Sequence, residues 1–321
     1  MTLFHDPGFA APIGKHIMPI SKFALVAEGI RRRLPEISIC APEPVREGDL
    51  LRVHTAEYVE AIKSGDPRDL AESQKFPWSP ELFGSVCLTG GGVLAAAGEA
   101  LESGASGALA SGFHHAFADH GEGFCTFNGL VVALEALRAG GRIRQGAVLD
   151  MDLHYGNGTA SLAATRPWMR CLSLYGNDYH ANKPHRDVTT RHHEDGPNHA
   201  SVPLVPTGRS DRAMMLDALS ANLPWLTDRG RPDILLYQAG ADPLQDDPYS
   251  PLRIDHDDLR ERDRIVFAFA KSHGIPVAWV LAGGYTPDTS KVVEVHLNTA
   301  RACREIFAEK GARRAINPAP G

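Results

Sequence analysis

The segment Asp150-Met-Asp152-Leu-His154 sets carboxylate, carboxylate and imidazole at alternate positions. In an extended segment alternate residues share a face, so two of them could begin a zinc site. A helix-capping Asp followed by a surface His would give the same letters. Asp242, in GADPLQDDP, could add an oxygen ligand and leave a coordination position open for catalysis, although Asp-Pro is also a common turn pair. His114-His115 follows Gly112 and could bring two rings to a metal-activated water; tandem His by itself is more often structural. Tyr285 follows Gly283-Gly284, where the backbone can approach closely and the phenol can meet a developing oxyanion, or simply pack. Together these groups describe metal-assisted hydrolysis with a neutral His as proton carrier. No GxSxG elbow, Walker loop or GxGxxG loop offers a competing chemistry.

Positioning these groups requires a scaffold. Residues 105–110, 146–152, 170–175, 233–239 and 276–282 are short, continuously apolar runs that read as strands buried on both faces. Helical patterns lie at about 80–101, 128–139, 156–165, 211–225, 255–273 and 288–309. This alternation predicts an α/β fold with a mainly parallel sheet and helices on both faces. In such sheets ligands bind beyond the carboxyl ends of the strands, and the four chemical segments each follow one of the predicted strands.

The chain has 321 residues, with no repeat and no linker rich in Pro, Gly or Ser, and reads as one domain over 1–321. A net charge of −6 without a basic run argues against nucleic acid or an anionic membrane surface as partner. No run approaches the roughly 20 apolar residues of a membrane span, and the N-terminus lacks a signal-peptide pattern. Five scattered cysteines form no CxxC pair or disulfide framework, which fits a reducing cytoplasm.

The segments 112–129, 150–159, 238–248 and 281–285 together resemble the histone deacetylase family, in order and approximate separation. The resemblance runs from about residue 53 to residue 307, and PWSPEL (77–82) with HHAFADHGEGFC is most similar to the class IV branch and its bacterial relatives. It implies the arginase/deacetylase fold, with about eight strands. It implies zinc held by Asp152, His154 and Asp242, with His115 as general base and acid, His114 as its electrostatic neighbour and Tyr285 as oxyanion donor. Asp150 would hold the ring of His114, and Asn157 that of His115. Gly123 and Phe124 would line an acyl-lysine tunnel, with Tyr249 at its rim. Potassium would sit near the zinc on Asp150, Asp152, His154, Ser173 and Leu174. An anionic partner favours imidazolium and a neutral one does not, so His115 is expected to be the neutral ring.

The sequence departs from the family pattern at Gly129, where an Asp is common and a helix cap could change, and at Tyr155, where a second His is common. The polar loop 176–199 offers Tyr179 for the second tunnel wall; its histidines 180, 185, 192, 193 and 199 read as solvated. The expected substrate is an acylated lysine of a peptide or protein, or a small acylated amine. An acetylpolyamine is the alternative within this chemistry, although Tyr249 stands where a carboxylate gatekeeper is expected. A non-catalytic acyl-lysine-binding zinc module would lack a ligand, the His pair or the Tyr, and none is missing. Arginase chemistry needs a second metal's carboxylates. A homo-oligomer is compatible with the sequence.

Overall fold

The computed structural model describes residues 1–14, 16–179, 196–205 and 210–308. Among the described residues eight strands form one parallel sheet: β1 (Thr2–Phe4), β2 (Ser38–Cys40), β3 (Ala105–Ser111), β4 (Gly146–Asp150), β5 (Met169–Tyr175), β6 (His199–Pro203), β7 (Ile234–Ala239) and β8 (Val277–Leu281), in spatial order β2-β1-β3-β8-β7-β4-β5-β6. The five predicted strands occupy its centre, and every residue of β3, β4, β5, β7 and β8 is buried. Continuous apolar runs are what a strand covered on both faces requires. The strands that the sequence does not announce, β1, β2 and β6, lie at or next to the edges. β2 is largely exposed, so no apolar pattern marks it.

Registers Ser111↔Leu281, Ala239↔Leu281, Gln238↔Asp150 and Asp150↔Ser173 bring the carboxyl ends of β3, β8, β7, β4 and β5 side by side. The helices lie on both faces. One layer includes α2 (Glu47–Leu50), α3 (Ala56–Ser64), α5 (Leu82–Ser103), α6 (Gly129–Ala139) and α7 (Asn157–Ala164), with α4 (Arg68–Ala71) against α3. The other contains α1 (Lys22–Arg33), α8 (Asp211–Asn222), α9 (His256–Ser272) and α10 (Thr289–Ala308).

Three expectations are corrected. The helix anticipated to residue 225 stops at Asn222, and Pro224 lies in a 3-10 turn over Leu223–Thr227. The strand anticipated to residue 152 ends at Asp150, so the chain is already turning when it reaches Asp152. Contrary to the expectation for membrane-length segments, α5 is long and apolar enough to cross a membrane; it is instead mostly buried, packed on β3 and α6. Gly129 leaves the cap of α6 intact, because Asn128 Oδ1 accepts from Val131 N at 3.1 Å.

Candidate functional site

Beyond β4 the chain folds back so that His154 Nδ1 lies 3.1 Å from Asp152 Oδ1 and 3.0 Å from Asp242 Oδ2. One donor atom from each of the three buried residues lies within 4.8 Å of the others. Each carboxylate is fixed from behind. Leu153 N donates to Asp242 Oδ1 at 3.0 Å, and Gly283 N donates to Asp152 Oδ2 at 2.6 Å. Gly283 is required here, since a Cβ would lie 2.0 Å from Asp242 Oδ2. Alternation along a strand does not create this cluster. The Asp150 carboxylate turns to His114, and the turn after β4 carries Asp152 and His154 to Asp242.

The cluster concentrates negative charge around one imidazole. Burial lowers the proton affinity of His154, but the carboxylates of Asp152 and Asp242 outweigh it and push its pKa up to about 10. Burial and the charge of Asp152 raise Asp242 to about 7. Two carboxylate oxygens and an imidazole nitrogen, buried together, form a donor set suited to a divalent cation such as zinc.

His114 and His115 follow β3 with ring centroids 4.0 Å apart. His114 Nδ1 lies 2.6 Å from Asp150 Oδ2, and His115 Nδ1 lies 2.7 Å from Asn157 Oδ1. Burial lowers both; at His114 the charges of Asp150 and Asp152 prevail and raise it, whereas at His115 the neighbouring His114 and His154 add to burial and hold it well below 6.5.

Tyr285 N donates to Asp247 Oδ2 at 2.6 Å, and Tyr249 N donates to Asp247 Oδ1 at 3.0 Å. One buried carboxylate thus fixes both tyrosines. The Tyr285 ring centroid is 6.2 Å from that of His154 and 5.3 Å from that of Tyr249. Tyr179 stacks on His115 with centroids 3.9 Å apart, and Phe124 packs against Phe76, His16 and Tyr285. At Gly123 a Cβ would lie 2.3 Å from His115 Cδ2. Phe113 (φ 58°), Phe124 (φ 65°) and Tyr179 (φ 48°) all adopt the left-handed backbone region that side chains disfavour. Such strain gathers at functional sites.

Every site residue anticipated from the sequence falls at this end of the sheet. Ser173 and Leu174 lie in β5 beside Asp150, and among the described residues the buried Ser173 hydroxyl has no hydrogen-bond partner. His180, His185, His192 and His193 lie outside the described residues. His199 is not solvated: it begins β6, buried against Tyr155. Two supporting groups carry no local sequence signal: Glu122, which orients Asn157, and Lys22, whose ammonium is buried near the Tyr285 ring. Their partners are distant in the chain.

A model of the histone deacetylase domain matches residues 16–300. The histone deacetylase-like amidohydrolase of Pseudomonas aeruginosa is 30% identical over 272 residues, covering 83% of this chain and 70% of that protein. Acetylpolyamine amidohydrolase 2 of the same organism is 31% identical over 182 residues, 54% of this chain and 48% of its own length. The crystal structure of the HDA15 HD domain superposes with a TM-score of 0.76 at 19% identity, covering 97% of this chain and 91% of that one. With the domain matched over most of its length and the same α/β fold, this chain belongs to the histone deacetylase family.

Proposed function

We propose that the chain is a zinc-dependent deacylase of N-acyl-lysine or a lysine-like primary amine, working as a single catalytic domain. The observation that carries this reading is the convergence of His154 Nδ1 with oxygens of Asp152 and Asp242, beside two imidazoles and a phenol. Zinc held by those three residues would supply Lewis acidity and lower the pKa of water toward neutrality. The remaining work falls to side chains. His115 takes the water's proton at Nε2, since its Nδ1 faces Asn157, and returns it to the leaving amine. His114, paired with Asp150, keeps positive charge beside it. The Tyr285 hydroxyl donates to the amide oxygen as negative charge builds there. Gly123, Phe124, Tyr179 and Tyr249 flank the path of the acyl-lysine stem. The Ser173 hydroxyl, buried without a hydrogen-bond partner among the described residues, supports potassium nearby, with Leu174, Asp150, Asp152 and His154 as the further ligands that the family resemblance implies.

An acetylpolyamine substrate would need rim carboxylates free to meet a distal ammonium. Asp246 is already paired with Lys291 at 2.8 Å, and Asp247 is taken up by the amides of Tyr249 and Tyr285. This favours the lysine reading. The test is a panel of acyl-lysine peptides of graded chain length and N-acetylpolyamines, assayed on protein of known zinc content. Turnover of acyl-lysine supports the proposal; turnover of polyamines alone would reverse it.

A further inference from the structure

Lys22, the first residue of α1, is fully buried at 0% exposure, which is rare for lysine. Its ammonium donates to Ala282 O at 2.5 Å and lies 5.9 Å from the Tyr285 ring centroid. Among the described residues it has no ion-pair partner within contact distance. Burial pulls it down to about 8, and the more distant charges of Asp242, Asp152 and Asp247 hold it up. Stripping a cation of water is costly unless something is gained.

The gain lies in the peptide group that Lys22 holds. The Ala282 carbonyl shares its amide plane with the Gly283 N–H, and that N–H donates to Asp152 Oδ2 at 2.6 Å. Hydrogen bonds in series polarise one another, so a cation at the carbonyl end makes the amide end a stronger donor. A related arrangement occurs a second time, with a cation that is also paired to the buried carboxylate of Asp263. Arg262, also at 0% exposure, reaches Met151 O at 3.3 Å and Gly240 O at 2.7 Å. The Met151–Asp152 peptide N–H in turn donates to Asp150 Oδ1 at 3.1 Å. Two buried cations therefore each act on a site carboxylate across one peptide group.

We infer that Lys22 is a positioning residue for Asp152: through the Ala282–Gly283 peptide it fixes Oδ2 and leaves Oδ1 turned toward His154 Nδ1. The inference rests on the reading of Asp152 as a metal ligand. Zinc-loaded full-length protein, with Lys22→Met and Lys22→Gln variants, is examined by amide NMR and steady-state kinetics. The Gly283 amide proton is expected far downfield and slow to exchange in the parent protein, and to move upfield in Lys22→Met. kcat is expected to fall about 10- to 100-fold, the range seen when a ligand's supporting partner is lost, with KM within about twofold. Lys22→Gln, which can still donate but carries no charge, should fall between. An unmoved Gly283 resonance or an unchanged kcat in Lys22→Met would overturn the inference. Should that variant not fold, an ordinary, rapidly exchanging Gly283 amide in the parent protein overturns it equally. Should the parent protein turn over no acyl-lysine substrate, the proposed function fails, while the Gly283 resonance still decides the relay.

Discussion

Asn157 presents its amide oxygen, not its nitrogen, to His115: Oδ1 is 2.7 Å from Nδ1, and the orientation is fixed because Nδ2 donates to Glu122 Oε2 at 2.9 Å while Gly158 N donates to Oδ1 at 3.0 Å. The ring therefore carries its proton on Nδ1 and leaves Nε2 as the lone-pair nitrogen. Burial and neighbouring positive charge hold His115 below its ordinary 6.5. Activity that needs the neutral ring is then lost only as pH falls through that lowered value. Replacing the amide by a carboxylate, in Asn157→Asp with Glu122→Gln to remove the opposing charge, should raise His115 and move the acid limb of kcat/KM to higher pH. A pH–rate profile checks the direction.

Tyr285→Phe removes one hydroxyl and leaves the Asp247 contact to the backbone. Loss of a single oxyanion donor costs about 10²–10³ in kcat, and zinc content should not change. Metal analysis beside kinetics separates this from a damaged metal centre.

Asp247→Asn keeps the shape but replaces a carboxylate that accepts from two backbone amides. The amide can accept through one atom only, so Tyr285 or Tyr249 loses its anchor. kcat should fall by less than in Tyr285→Phe, with the added hydroxyl flexibility visible as weakened binding of a hydroxamate inhibitor.

Gly283→Ala places a Cβ 2.0 Å from Asp242 Oδ2 and should abolish stoichiometric zinc binding. Gly129→Ala is the control, since its Cβ meets nothing nearer than 3.4 Å. It should be neutral or stabilise by about 0.4–1 kcal/mol. Zinc stoichiometry and thermal melting report both.

Zinc binding should release protons. In the metal-free site His154 is raised to about 10, so at neutral pH its ring is protonated and the incoming cation must displace that proton. Apparent affinity should therefore rise with pH, about tenfold per unit for each proton released. A competitive chelator titration at several pH values measures the slope.

The chemistry was legible where it sits in short segments beside strands with continuous apolar runs. Asp150 ends β4; Asp152, His154, Asp242, the His pair and Tyr285 follow β3, β4, β7 or β8, and the parallel registers bring those ends together. What escaped has no local signal. Lys22 lies 260 positions from its acceptor and opens an ordinary amphipathic helix. β1 and β2 are three residues each, too short for periodicity. His199 read as one more polar loop residue, because only pairing with β5 buries it.

The proposed chemistry requires one divalent cation gripped by Asp152, His154 and Asp242. Diffraction from zinc-equilibrated crystals, recorded on either side of the zinc absorption edge, tests it most directly. A single strong anomalous peak is expected between His154 Nδ1 and the two carboxylates, absent in Asp242→Ala. Zinc bound elsewhere, or no peak among those three side chains at saturating zinc, would contradict it.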